Sequence, residues 1–130
     1  MKTVTFDEFV NERRGSHSAM EYVWKKLYAF VKKRGGKVTK ENKSFDVGAT
    51  LIAEIGDATF KIDVDTERVS KDTEREIDVD DWDYTYAIRG TVEKNRREVE
   101  SNFFGIVDTN TKREIDDEFE VFIDYFEDVL

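Results

Sequence analysis

Ala49-Thr50-Leu51-Ile52-Ala53-Glu54-Ile55-Gly56-Asp57-Ala58-Thr59-Phe60-Lys61-Ile62-Asp63-Val64 reads as two strands joined by a tight turn. Apolar residues alternate at 49, 51, 53 and 55 and again at 58, 60, 62 and 64, a period of two that gives each run one apolar face. Gly56-Asp57 suits a two-residue hairpin turn with glycine first. That turn pairs Ile55 with Ala58, Ala53 with Phe60, Leu51 with Ile62 and Ala49 with Val64, so apolar meets apolar at each step. A slip of one residue would turn the whole set to the other face. The alternation reaches back to Val47.

A second hairpin follows the same logic. Tyr84, Tyr86, Ile88, Gly90 and Val92 form one apolar face, and Val99, Ser101, Phe103, Gly105 and Val107 form its partner. A turn centred on Asn95-Arg96 pairs Val92 with Val99, Ile88 with Phe103, Tyr86 with Gly105 and Tyr84 with Val107. The opposite face then carries Ala87, Phe104 and Ile106, with Ile52 on the corresponding face of the first hairpin. Those residues form either an exposed apolar patch, which marks an interface, or a second part of the core. Ile77 and Val79 stand in the odd phase while Trp82, Tyr84 and Tyr86 stand in the even phase, so a bulge or bend is expected near Asp80-Asp81.

Helical patterns flank the hairpins. Thr5 and Glu8 have capping-box spacing ahead of a short helix to Arg14, ended by Gly15. Ser18 and Glu21 repeat the signature ahead of a longer helix to about Arg34, ended by Gly35-Gly36. Met20, Val23, Trp24, Leu27 and Val31 line one side of it, and Lys25, Lys26, Lys32 and Lys33 the other. Lys37 to Lys43 reads as a basic linker. A last helix spans Lys112 to Asp128, with Thr111 and Glu114 as its capping box. Its apolar stripe is Ile115, Phe119, Phe122, Ile123, Phe126 and Val129. The expected architecture is α+β in a single domain over residues 1–130: a four-stranded antiparallel meander, two N-terminal helices and one C-terminal helix, in the order α-α-β-β-β-β-α.

Composition narrows the function. The chain has no Cys and one His, which removes disulfides, thiolate zinc sites and any metal centre built on Cys or His. His17 lies between two serines at a helix start, without the base and orienting group of a nucleophilic triad, and reads as a capping or surface residue. No phosphate-binding glycine loop is present, and no cofactor is implied. Asp78 to Asp83 lacks the Gly and distal Glu that a calcium loop requires. No apolar run approaches the ~18 residues that span a membrane. The segment from Met1 to Glu8 has no apolar leader, so a cytoplasmic address is expected.

Charge is the distinctive property. The net charge is -9, with 11 Lys/Arg against 5 Asp/Glu in residues 1–43 and 10 against 25 in the rest. Asp63 and Asp65 share one strand face, Asp78 and Asp80 share another, and Asp81 and Asp83 extend the second patch. From Glu114 onward there are eight acidic residues and no basic one, with Glu120, Asp124, Glu127 and Asp128 on the outer face of the last helix. Alternate carboxylates recur every ~6.7 Å along a strand and every ~5–6 Å along a helix face, spacings close to those of a nucleic-acid backbone. The expectation is a non-enzymatic inhibitor or decoy, a DNA mimic such as a phage accessory protein or an immunity protein. Its acidic face would dock on a basic, nucleic-acid-handling protein through Asp63, Asp65, Asp78, Asp80, Asp81, Asp83, Glu120, Asp124, Glu127 and Asp128.

Other readings stay open. The carboxylates can instead hold a divalent cation in a metal-dependent enzyme, or simply form a solvated face. The basic stretch 25–43, with Tyr28 or Phe30 for stacking, suits a nucleic-acid backbone, although the net charge opposes binding a polyanion. A basic helix of one copy meeting an acidic helix of another would build a homo-oligomeric assembly.

Overall fold

The computed structural model describes residues 17–70, 82–107 and 109–130, with side chains described for all of these except 67–70 and 82–84. The elements are α1 (Ser18–Lys33), β1 (Lys37–Asn42), β2 (Ala49–Ile55), β3 (Ala58–Ser70), β4 (Trp82–Lys94), β5 (Arg97–Val107) and α2 (Lys112–Asp124). The class is α+β, as expected. Among the described residues there are five strands in the order β1-β2-β3-β4-β5, all antiparallel neighbours, and two helices. The short helix expected over Thr5 to Arg14 and the bend expected near Asp80-Asp81 lie outside the described residues.

The first hairpin forms in the expected register, with Ile55 opposite Ala58, Ala53 opposite Phe60, Leu51 opposite Ile62 and Ala49 opposite Val64. Gly56 alone of its two turn residues has a positive φ (61°), the pattern of a II′ turn, whose twist matches that of the strands. The strand begins at Ala49 rather than Val47, which stands in a turn and is exposed.

Three expectations are corrected. Lys37 to Lys43 is not a linker: Lys37–Asn42 pairs with β2 and forms the sheet's edge. Only Val38 of that strand packs against the core, so it carries no apolar alternation; its lysines are the kind of residue that keeps an exposed edge from pairing further. At the start of α1, Ser18 does not cap. His17 holds the N-cap position with a left-handed backbone (φ 58°) and no side-chain capping bond. In the second hairpin, Asn95 (φ 53°) and Arg96 (φ 64°) form the turn where expected, in a I′ conformation. A bulge then absorbs Val99, so that Glu100 opposes Val92, Phe104 opposes Ile88 and Ile106 opposes Tyr86. Phe104 and Ile106 therefore join the core, and Phe103 moves to the outside.

The core lies between the inner sheet face and both helices. α1 contributes Met20, Val23, Trp24, Leu27 and Val31, and α2 contributes Ile115, Phe119, Phe122 and Ile123. Thr111 caps α2 with both bonds of a capping box: its hydroxyl oxygen accepts from the Glu114 N–H, and its own N–H donates to the Glu114 carboxylate. The helix ends at Asp124, and turns carry Phe126 on into the core. Gly90 on β4 lets α2 descend this far. A Cβ there would lie 2.6 Å from Phe122 Cζ and 2.9 Å from Phe126 Cζ. Phe104 stacks against Phe122 at a centroid distance of 4.7 Å, which is why the bulged register wins.

Gly90→Ala is expected to lower the free energy of unfolding by about 1–3 kcal/mol, the usual cost of overpacking a filled core. Gly105→Ala, whose added Cβ would have its nearest neighbour at 3.6 Å, is expected to cost far less. Chemical denaturation of the two variants checks the contrast.

Candidate functional site

The two-layer arrangement divides the acidic residues. Asp63 and Asp65 are exposed on the outer face of the sheet, turned away from Ile62 and Val64, while Glu120, Asp124, Glu127 and Asp128 are exposed on the helix layer. These two groups lie on opposite sides of the core. Asp83 stands in β4 opposite Val69, and Asp78, Asp80 and Asp81 lie outside the described residues. Among the described residues no three His, Asp or Glu side chains come together as cation ligands.

The basic and acidic helices of the sequence pack beside each other in the same chain. Asp116 of α2 accepts from Lys26 Nζ at 2.7 Å and from the Tyr22 hydroxyl at 2.7 Å. Glu127 pairs with Arg34, whose guanidinium also lies over the Phe30 ring at 5.2 Å. Both contacts advance in the same direction along the two helices. Five meandering strands require this, since the chain then reverses six times between the helices, and an even number of reversals leaves the second helix parallel to the first. Two of the cations that would have gripped a nucleic-acid backbone are thus held by the chain's own carboxylates. Glu127, expected on a partner-binding face, is engaged within the fold.

What remains on the solvent side of α2 is a ridge. Val121 and Tyr125, one helical turn apart, are 63% and 56% exposed. Asp117, Glu118, Glu120, Asp124 and Asp128 surround them, all exposed and without an ion pair among the described residues. The last turn of α2 holds no basic residue. Negative charge at a helix C-terminus opposes the helix dipole, at about 0.3–1 kcal/mol per group. Sequence periodicity locates these carboxylates; the signal for Val121 and Tyr125 is that both fall outside the apolar stripe and so point outward.

The outer sheet face is a second surface. Thr50, Asp63, Arg89 and Phe103 form one row across β2, β3, β4 and β5. Phe103 is 72% exposed, and with Asp63, Asp65, Ala87 and Arg89 it lines a shallow groove of about 500 Å³. By register this face also carries Lys37, Lys40 and Lys61 against Glu54, Glu93 and Glu98.

His17 is not a simple surface cap. Its Nε2–H donates to Asp46 Oδ1 at 2.5 Å, and Nδ1 meets the hydroxyl of Tyr86. Tyr86 is fully buried, so no substrate can reach its phenol, and the bridge ties the start of α1 to β4 and to the β1–β2 connection. A lone histidine between serines gives no sign of this, because both partners lie far away in sequence.

Glu41 makes a comparable tie from the edge strand. Burial works most strongly against its charge, but hydrogen bonds from Tyr28 and Trp24 and the nearby Lys43 together hold its carboxyl below the usual range. The hydrogen bond to Glu41, aided by burial, pushes the Tyr28 phenol up to about 12. Asp116 is held low by Lys26 and then Tyr22. Comparison with protein families, with curated proteins and with solved structures gives no match to this chain.

These shifts fix the sign of a pH dependence. Depressed carboxyls stabilise the fold above their unfolded pKa of about 4 and lose that contribution as pH falls through the folded value. The raised Tyr28 stabilises below about 10 and loses its contribution as pH climbs toward about 12. The thermal unfolding temperature should therefore fall on both flanks of a broad neutral plateau, and Glu41→Gln should reduce both slopes. Unchanged slopes in that variant would count against the assignment.

Proposed function

We propose that this protein is a non-enzymatic binding protein, an inhibitor or decoy that docks the acidic face of α2 on a basic, nucleic-acid-handling protein. The observation that carries the reading is the Val121–Tyr125 ridge, solvent-exposed and ringed by carboxylates. An aromatic anchor within a charged surround has the anatomy of a binding surface, in which a few buried contacts hold and the charges steer. A cationic partner would also relieve the clash between these carboxylates and the helix dipole.

The footprint is Glu120, Asp124 and Asp128 with the two apolar anchors. Asp63 and Asp65, on the opposite layer, belong to a different surface. Nucleic-acid binding through residues 25–43 is the weaker reading, because Lys26 and Arg34 are committed to Asp116 and Glu127.

Affinity capture from a nuclease-treated lysate tests the proposal. One dominant basic protein is expected at low salt, reduced at ~0.5 M salt, where the Debye length shrinks to a few ångströms. Double-stranded DNA should displace it. Tyr125→Ala and the pair Asp124→Lys, Asp128→Lys should each weaken binding by at least about tenfold, the scale of a moderate interface anchor. Capture indifferent to these changes, or to DNA, overturns the reading.

A further inference from the structure

One face of an antiparallel sheet commonly stays in water, and such a face is then polar throughout. The outer face here breaks that pattern at its centre. Phe103 projects from β5 with 72% of its surface exposed, Ala87 lies beside it on β4, and Ile52 is half-buried on β2. Arg89 stands between Asp63 and Phe103 in the strand register, yet among the described residues its guanidinium forms no ion pair.

We propose that this face is the interface of a two-fold dimer and that a second copy of the chain covers it. The register supplies the geometry. A two-fold axis running along the strands between β3 and β4 lays β4 over the β3 of the second copy, and β5 over its β2. The row Thr50–Asp63–Arg89–Phe103 then meets itself in reverse. Arg89 falls on Asp63 of the partner subunit, with Asp65 two residues along the same strand. Phe103 falls on the partner's Thr50 and neighbouring Ile52. Each contact occurs twice, as a two-fold interface demands. Facing sheets pack about 10 Å apart, a gap that interdigitating side chains of this length fill.

Charge selects the occupant. Among the described side chains the face sets four cations, Lys37, Lys40, Lys61 and Arg89, against five carboxylates, Glu54, Asp63, Asp65, Glu93 and Glu98, whereas the chain as a whole carries -9. Two copies of an acidic protein repel least where each surface is close to neutral and carries both signs. A strongly basic partner would find its complement on α2 instead.

Sedimentation velocity of the full chain, from about 1 µM to about 500 µM, tests the proposal, because a self-associating protein shifts with concentration. A monomer–dimer transition is expected. Arg89→Glu alone, and Asp63→Arg alone, should each raise the dissociation constant roughly a hundredfold, since each sets like charges against each other twice. Mixing the two variants should restore the dimer, because both contacts then pair opposite charges. That recovery cannot arise from misfolded protein. A monomer across the whole range, a dimer indifferent to Arg89→Glu, or a mixture that stays monomeric overturns the proposal. Capture of a partner through α2 is read separately, since Tyr125 and Asp124 lie on the other layer and their variants leave the dimer intact.

Discussion

Phe122 and Phe126 come to rest on the bare backbone of Gly90, and the positions of both layers follow from that contact. A side chain there would lift α2 off β4. With the helix seated, its phenylalanines need an apolar neighbour on β5, and only a register that turns Phe104 and Ile106 inward provides one. The bulge at Val99 delivers that register at the cost of a locally disrupted ladder. Burying two large apolar side chains is worth about 1.5–3 kcal/mol each, more than a bulge at a sheet edge costs. Phe103 is then forced outward. The same seating fixes which side of α2 meets water, and so exposes Val121 and Tyr125 together with the carboxylates.

The edge strand has consequences beyond its own pairing. A meander of four strands would return the chain with α2 antiparallel to α1. The fifth strand, β1, makes the helices parallel, so that Lys26 reaches Asp116 while Arg34 reaches Glu127. Parallel neighbouring helices align their dipoles unfavourably, and these paired charges work against that repulsion. The polarity of the sequence, basic early and acidic late, is therefore partly neutralised inside one molecule. The carboxylates left over form no ion pair among the described residues.

Legibility in the sequence followed how local each determinant was. The turn and register of the first hairpin are readable from the sequence, because alternation and a glycine turn specify one register between adjacent runs. The second was readable in its turn and in the inward face of β4 but not in β5. There the bulge answers to Phe119 and Phe122 on a distant helix, and no local pattern marks Val99. Lys37–Asn42 reads as a linker because an edge strand with one neighbour needs only Val38 in the core; its pairing is made by backbone groups, which leave no side-chain period. The capping box expected at Thr111 forms and the one expected at Ser18 does not, because His17 is drawn to Tyr86 and Asp46 and takes the cap position with it. For the site, the shared face of Asp63 and Asp65 was legible. Their separation from the helix carboxylates was not, since it depends on which face of the sheet the helices cover.

Propensity, patterning, turn chemistry and packing agree over most of this chain, which gives meaning to the places where they disagree. There are two. The last turn of α2 sets carboxylates against the helix dipole and leaves an aromatic ring in water. The centre of the outer sheet face leaves in water a phenylalanine and an arginine that has no ion pair among the described residues. Each is locally unfavourable, and neither is compensated within the described fold. They occupy opposite layers, so covering one leaves the other open. Two copies joined by their sheets would turn both α2 ridges outward, on opposite sides of the pair. A partner with two basic sites, or a lattice of such partners, would then be held with an effective concentration that a single acidic helix does not supply. The separation that rules out one continuous acidic face is thus what allows association and capture to proceed on independent surfaces.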